Sequence, residues 1–206
     1  MSRGIIGKKM GMTQIFADDG TVIPVTVIKA GPCVVVQKKT KKRDGYDALQ
    51  LGFESIDEYK LNKPERGHFK RAGVAPQKHL KEFRNFGEKI EEGDTVTVDQ
   101  FEKGERVNVS GVTKGKGFSG NVRRWNHSTG PKTHGSRFHR APGSIGAVDA
   151  SRVFKGQKLP GRMGHDNITI ENLEIVDIDS EKDVMLIKGS VPGPKKGILA
   201  IETISG

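Results

Sequence analysis

Basic side chains are concentrated in one quarter of this 206-residue sequence. Residues 113–163 contain eleven Lys or Arg residues and a single acid, Asp149, so this segment carries a net charge of +10. The other 155 residues contain 24 basic and 24 acidic side chains and are neutral as a whole. Solubility is better served by dispersed, mixed charge than by such segregation. The segment, called the arm below, is therefore predicted to bind a polyanion.

The residue types of the arm suit contacts with nucleic acid. Guanidinium groups pair with phosphate and stack on bases, and an indole ring offers a further stacking surface. Arg123 and Arg124 stand next to Trp125, the only tryptophan of the chain. The two arginines are predicted to contact the polyanion. For Trp125 two roles stay open, which are stacking on a base and anchoring the start of the arm to the body.

Histidines of the arm could in principle bind a metal or act as acid–base catalysts. They are His127, His134, His139 and, just beyond the arm, His165. Such roles need neighbouring carboxylate or thiolate groups, and the only acids nearby in sequence are Asp149 and Asp166. We therefore predict no catalytic residue and no metal, and expect these histidines to donate hydrogen bonds to phosphate or ribose.

A glycine pattern in the arm matches the dinucleotide-binding fingerprint by spacing alone. Gly115, Gly117 and Gly120 fit G-x-G-x-x-G, but Gly130-Pro131 would soon break the helix that should follow, and no acid lies about twenty residues on to hold a ribose. These glycines more simply allow the backbone to approach phosphates closely. No cofactor and no small-molecule substrate are predicted.

The middle of the arm differs from its flanks because it is small, rich in glycine and nearly uncharged. Its centre is the predicted tip, which comprises Ser144, Ile145, Gly146, Ala147, Val148 and Asp149. Either this is an ordinary turn, or it enters a crowded place where bulky cations would not fit. A second basic run, Lys38–Arg43, is either a solvated turn or a further nucleic-acid contact.

Composition places the chain among cytosolic proteins. Cys33 is the only cysteine, so an intramolecular disulfide and a cysteine-based zinc site are excluded. No stretch approaches the roughly 20 apolar residues of a membrane span, and the first residues have no secretory signal. We expect a soluble, cytoplasmic protein with no membrane partner.

Short β-branched and apolar runs outside the arm predict a mainly β fold. The predicted strands are residues 12–16, 21–29, 33–37, 46–53, 95–98, 106–112, 168–178, 184–188 and 198–204. Pro24 should lie at an edge or a bulge because it lacks an N–H. Residues 55–92 form a polar insertion with one or two short helices, including a helical turn at 79–83.

Many short strands with little helix favour a closed or partly open β-barrel. The predicted domain organisation is a first barrel part at 1–112, which contains the polar insertion, a basic, irregular extension at 113–163, and the remaining barrel strands at 164–206. The arm is thus an insertion between two strands of one barrel. It contains too few apolar residues to offset its ordering entropy, so we expect it to be loosely ordered without a partner.

Several motifs resemble a known family. They are Gly7–Phe16, Asp19-Gly20 and Pro24–Ile28 near the start; Lys114–Phe118, Arg124-Trp125, Thr133–Gly135, His139-Arg140 and Pro142–Gly146 in the arm; and Val153–Gly156, Gly161, Met163-Gly164 and Gly189–Gly193 after it. Collinearly and over nearly the whole chain, these motifs resemble the third protein of the large ribosomal subunit in its bacterial form.

The resemblance implies a translation-protein-like β-barrel on the subunit surface, beside neighbouring large-subunit proteins. Its extension would run through 23S rRNA toward the peptidyl transferase centre, and the protein would bind rRNA early in assembly. Some bacterial members have a methylated glutamine after Gly-Ser-Ile-Gly, where this chain has Ala147. The candidate rRNA-binding residues are Lys114, Lys116, Arg123, Arg124, Trp125, His127, Lys132, His134, Arg137, His139, Arg140, Arg152, Lys155, Lys158 and Arg162.

Two other classes of protein are alternatives to a structural ribosomal protein. An architectural DNA-binding protein is the alternative, but the sequence shows no helix-turn-helix and no periodic basic helix for a major groove. An enzyme with a mobile basic lid is disfavoured because the arm offers one carboxylate, no cysteine and no credible triad.

Overall fold

A computed structural model describes residues 3–84, 86 and 90–204. Its strands are β1 (Gly4–Phe16), β2 (Val22–Ala30), β3 (Cys33–Lys39), β4 (Ala48–Ser55), β5 (Gln77–Arg84), β6 (Thr95–Val96), β7 (Arg106–Val112), β8 (Phe118–Ser119), β9 (Gly161–Arg162), β10 (Asn167–Asp179), β11 (Val184–Lys188) and β12 (Ile198–Thr203). The α-helices are α1 (Lys41–Asp44), α2 (Lys63–Ala72) and α3 (Asn121–Trp125), with 3₁₀ turns at Glu58–Lys60 and Val98–Gln100.

Six antiparallel strands close into a barrel in the order β1-β12-β7-β10-β11-β2. The hairpin of β1 and β2 closes the barrel, and β7 pairs with β10 although more than fifty residues separate them in sequence. Pro24 pairs with Gln14 just beyond Val25, the last β2 residue to pair with β11. Its carbonyl accepts from the amide of Gly189 at 2.8 Å, so Pro24 lies at the end of the ladder between β2 and β11, as a residue without an N–H requires.

A second antiparallel sheet, in the order β5-β4-β3-β6, shares one apolar core with the barrel. Barrel residues such as Ile5, Ile175 and Ile201 and sheet residues such as Leu51 and Phe83 belong to the same buried cluster. Burial of this continuous apolar surface stabilises both layers together.

The predicted mainly β fold with a barrel is confirmed. The strands predicted at 106–112 and 184–188 have these bounds in the structure, as β7 and β11. The strand predicted at 95–98 is shorter, because β6 ends at Val96 and a 3₁₀ turn begins at Val98.

The helical turn predicted at 79–83 is wrong, because these residues belong to strand β5. This strand pairs with β4 along its whole length, from Ala48↔Arg84 to Ser55↔Gln77. Lys, His and Glu give the segment little strand propensity of its own, so its conformation is set by pairing with β4 and by burial of Phe83. The helices of the insertion are instead the 3₁₀ turn at Glu58–Lys60 and α2, whose first turn has a capping box from Asn62 and Glu65.

Strand β1 begins eight residues before the strand predicted at 12–16. Glycines disfavour strands by propensity, but here they are required by close packing. A Cβ on Gly4 would lie 2.3 Å from Cδ1 of Phe83, and one on Gly7 would lie 2.7 Å from Cγ2 of Ile28. The first half of β1 is thus a strand through its pairing with β12 and β2, and neighbouring side chains allow only glycine at these two positions.

The chain divides into two compact units. One unit, called the body, runs to Val112 and resumes at Asn167; it contains the barrel and the second sheet. The other unit is Thr113–Asp166, which is the arm with three more residues at its end. It leaves the barrel after β7 and re-enters it at β10.

Candidate nucleic-acid interface

The two ends of the arm are held together by backbone hydrogen bonds. The amide of Lys116 donates to the carbonyl of Met163, and the amide of Met163 donates to the carbonyl of Gly117, both at 2.9 Å. The short strands β8 and β9 continue this pairing. These contacts define the root of the arm, residues 113–125 and 158–166.

The root depends on a glycine where the returning segment crosses the outgoing one. Gly164 has a φ of 74°, and a Cβ there would lie 2.1 Å from the carbonyl oxygen of Lys114. Any other residue at this position would meet both a strained backbone and a direct clash with main chain. A similar crossing occurs farther out, where a Cβ on Gly130 would lie 2.0 Å from the carbonyl oxygen of Phe138.

Arg124 and Trp125 both donate to the carbonyl of Leu159, across the root. The guanidinium Nη1 of Arg124 lies 2.8 Å from this oxygen, and the indole Nε1 of Trp125 lies 2.9 Å from it. The guanidinium carbon also lies 4.8 Å from the centre of the indole ring. The polar groups of this pair are therefore engaged within the arm, while Trp125 remains 38% exposed and keeps ring surface for stacking.

Helix α3 buries a second polar contact of the root. Asn121 is buried, and its Nδ2 donates to the carbonyl of Lys158 at 3.0 Å, with Nδ1 of the half-buried His127 at 3.5 Å. Within the described residues, Oδ1 of Asn121 and Oγ of Ser119 have no hydrogen-bond partner. Both atoms are buried, so the root keeps two polar groups without a hydrogen-bond partner inside the described arm.

Beyond the root, the arm contains few contacts and much exposed surface. The amide of Gly130 donates to the carbonyl of His139 at 2.9 Å, and Nδ1 of His139 lies 2.9 Å from the carbonyl of Pro131. All six residues of the predicted tip are exposed, and Val148 is 95% exposed. Within the tip, Ser144 Oγ donates to the carbonyl of Gly146 at 3.2 Å.

Ten of the eleven arm cations are exposed, and none of the eleven carries an ion pair with any acid of the described residues. The exposed ones are Lys114, Lys116, Arg123, Lys132, Arg137, Arg140, Arg152, Lys155, Lys158 and Arg162, whereas Arg124 is half-buried. In the body, by contrast, cations such as Lys8 and Lys39 pair with Glu54 and Glu82. The charge of the arm is thus available to an external anion.

Exposed phenylalanines of the arm are a feature that the sequence analysis missed. Phe118 is 80% exposed, Phe138 and Phe154 are also exposed, and the guanidinium of Arg152 stacks over Phe154 at 5.3 Å. Aromatic rings interleaved with cations are typical of surfaces that stack on bases. The occurrence of these phenylalanines in an otherwise polar segment is a sequence signal that could have indicated a surface for stacking on bases.

Part of the basic run at 38–43 is engaged within the body, whereas Lys42 and Arg43 are exposed. Lys39 Nζ lies 2.7 Å from Oε1 of Glu82 and donates to the hydroxyl of Tyr46 at 2.8 Å. The hydrogen bond from Lys39, with a smaller one from Tyr46, holds the pKa of Glu82 below its usual value of 4.5. Lys41 pairs with Asp47. This run therefore offers less free charge than its sequence indicates.

The described residues contain neither a metal-binding cluster nor a membrane-spanning helix. No group of three or more His, Cys, Asp or Glu side chains there has the arrangement needed to hold a metal ion. Nor is any helix of residues 3–84, 86 and 90–204 long and apolar enough to cross a membrane.

Fold and charge distribution together define a mainly β, barrel-forming protein with an inserted cationic extension. A family model described as Ribosomal protein L3 matches residues 76–185. The large ribosomal subunit protein uL3 of Natranaerobius thermophilus is 59% identical over 202 residues, which cover 98% of this chain and 96% of that protein. The chain belongs to the ribosomal protein L3 family, which confirms the resemblance found in the sequence.

Proposed function

We propose that this protein is a structural constituent of the large ribosomal subunit in the cytoplasm, and that its arm binds 23S rRNA directly. The observation that carries the proposal is the contrast in charge pairing. The arm has a net charge of +10 with its cations free of ion pairs among the described residues, whereas the other 155 residues are neutral as a whole and some of their cations, such as Lys8 and Lys39, pair with carboxylates. The family and its relative with 59% identity support the ribosomal setting.

Binding would be dominated by phosphate neutralisation. Exposed arginines and lysines displace condensed counterions from the RNA, so the affinity should fall steeply with salt. Glycines such as Gly115 and Gly117 let the backbone approach phosphates, and the rings of Phe118, Phe138 and Phe154 offer stacking surfaces. Specificity would come from RNA shape more than from base edges.

The tip would lie in the most crowded part of this path, close to the peptidyl transferase centre. Ser144–Asp149 contains small or apolar residues and a single charge, and all of them are exposed. Cationic side chains are long and would need room and counter-charge at such a position, whereas these residues do not. The flanking arm cations would hold the tip in place through contacts with phosphate.

The role of the protein in assembly follows from the different roles proposed for the body and the arm. The body folds around its own apolar core and would dock on the outside of the subunit, next to other ribosomal proteins. The arm would join rRNA segments that converge inside, and would thereby nucleate or support assembly. The role is structural and requires no turnover of a substrate.

A sedimentation experiment with ultraviolet crosslinking tests this proposal. Native protein should remain with the large subunit after a moderate salt wash, and peptides crosslinked to 23S rRNA should come mainly from residues 113–166. Release of the protein into the supernatant would refute the subunit role. Retention with crosslinks only in body peptides would refute the role of the arm.

A further inference from the structure

The end of the β1–β2 hairpin exposes large apolar side chains. Met10 and Met12 are each 51% exposed, Phe16 is 67% exposed and Val22 is 49% exposed. Phe16 pairs with Val22 and Gln14 pairs with Pro24 across the two strands. Side chains of directly paired residues and of residues two apart share one face of a sheet, so Met12, Phe16, Val22 and Pro24 form an apolar strip that also contains Gln14.

The same hairpin has an open strand edge. Strand β12 pairs with β1 only from Gly4 to Lys8, and Lys9 bonds to the segment before β12 through its amide and carbonyl. From Gly11 to Phe16, β1 pairs only with β2 in the described structure, and Met10 is the extra residue of a bulge between Lys9 and Gly11. Natural proteins protect such edges with lysine, proline or a bulge; here the bulge at Met10 and the side chain of Lys195 beside Gly11 protect the start of the edge, whereas residues 12–16 contain neither a charge nor a proline. This edge is suited to accept another strand.

Charge decides which kind of partner fits. Residues 10–28 contain Asp18 and Asp19 and no Lys or Arg, and the side chain of Lys195 lies beside Gly11, at the other end of the edge from these two acids. Asp19 is fixed in the turn, because its carboxylate accepts from the amide and the hydroxyl of Thr21 at 2.9 and 2.8 Å. Phosphates would be repelled by these two carboxylates, whereas a basic polypeptide would be attracted.

We infer that the hairpin end is a docking surface for an extended, basic segment of a neighbouring ribosomal protein. The segment adds as a strand along Gly11–Phe16, its apolar side chains cover the strip, and its cations face Asp18 and Asp19. The inference rests on the proposed function, since the partner is met only in the assembled subunit. On this account the arm contacts RNA, whereas the hairpin end contacts another protein.

Methionine oxidation of the unmodified protein measures directly whether the hairpin end is covered in the assembled subunit. In the free chain, Met10 and Met12 should oxidise readily, while Met185, which is fully buried, should not. In purified large subunits, oxidation of Met10 and Met12 should fall to the level of Met185. Oxidation at the free-chain rate in intact subunits would overturn the inference. Absence of the chain from the subunits would instead refute the proposed function.

A photo-crosslinker identifies what covers the hairpin end. It is introduced as Phe16→p-benzoylphenylalanine, with Tyr59→p-benzoylphenylalanine as the control, since Tyr59 is 75% exposed on another part of the body. In assembled subunits, the Phe16 adduct should resist nuclease and contain a Lys- and Arg-rich peptide of a different protein, and the Tyr59 adduct should not contain that peptide. Crosslinking of Phe16 to rRNA or to a second copy of this chain would contradict the inference.

Discussion

Gly164 lies where the returning segment of the arm passes the carbonyl of Lys114, and its φ of 74° is one that side chains disfavour. Gly130 has the same function farther out, against the carbonyl of Phe138. Because the arm contributes no residue to the buried cluster of the described chain, such close backbone crossings and their hydrogen bonds take the place of a core. Single glycines therefore determine the shape of the arm.

Gly164→Ala should open the root of the arm without unfolding the body. The added Cβ clashes with backbone that cannot move aside, so the pairing of Lys116 with Met163 should be lost. Amide hydrogen exchange of these two residues should become fast, while exchange in β7 and β10 stays slow. Gly120→Ala is the matched control, because Gly120 has a φ of −72° and open space at its Cβ. Equal effects of the two variants would contradict this account.

Arg123 and Arg124 are neighbours with different predicted roles. Arg123 is exposed, whereas Arg124 donates to the carbonyl of Leu159 and stacks on Trp125. Arg123→Gln should weaken rRNA binding and leave hydrogen exchange in the root unchanged. Arg124→Gln should speed exchange in the root as well. If Arg124→Gln leaves the exchange unchanged, its contacts across the root have no structural role.

At the scale of elements, strands with strong local signals could be predicted from the sequence, and those formed by tertiary contacts could not. Val184–Lys188 and Arg106–Val112 are rich in β-branched or apolar residues, and their bounds were correct. Gln77–Arg84 is a strand only because β4 lies beside it and Phe83 enters the core. The start of β1 was missed because Gly4 and Gly7 signal a break by propensity but are needed for packing.

The second sheet should lose stability in acid through Glu82, which links β5 to Lys39 of β3 and to Tyr46. The folded protein lowers the pKa of this carboxyl, so its contribution to stability is complete above its usual value of 4.5 and is lost as the pH falls through the lowered pKa. The free energy of unfolding of Glu82→Gln should thus depend less on pH than that of the wild type, between about pH 5 and about pH 3.

Denaturant unfolding at several pH values measures the acid dependence. Glu181→Gln, on an exposed turn, serves as the control and should follow the wild-type curve. Identical acid dependence of Glu82→Gln and the wild type would show that this link does not stabilise the sheet.

The barrel should fold without most of the arm. Strand β7 pairs with β10 and β12 directly, and the buried cluster of the described residues contains none from 113–166. Replacing Val122–Lys158 with a short glycine-serine linker should keep the cooperative thermal unfolding of the body and impair assembly of large subunits. Loss of cooperative unfolding would show that the arm supports the barrel, and normal subunits would refute its role in assembly.

For the whole molecule, the sequence alone located the candidate interface, because net charge is additive and needs no structure to be counted. The roles of individual side chains could not be predicted in this way, because they depend on contacts between residues that are far apart in sequence. The engagement of Arg124 requires Leu159, thirty-five residues away, and that of Lys39 requires Glu82. The exposed strip around Phe16 became visible only when the end of β12 pairing defined an open edge.

The central claim is that the unpaired charge of the arm binds rRNA, and the salt dependence of affinity tests it most directly. Dissociation constants for a 23S rRNA fragment are measured between about 50 and 200 mM salt for the wild type and two triple variants. The arm variant carries Lys132→Gln, Arg137→Gln and Arg140→Gln. The control carries Lys60→Gln, Lys103→Gln and Lys182→Gln, which remove body lysines that are paired with acids.

Each lost phosphate contact should reduce the slope of log affinity against log salt by about 0.7–0.9 in magnitude, so the arm variant should lose roughly two units. The control variant should keep the wild-type slope. Equal losses in the two variants, or an unchanged slope for the arm variant, would contradict the claim that rRNA is bound through the arm.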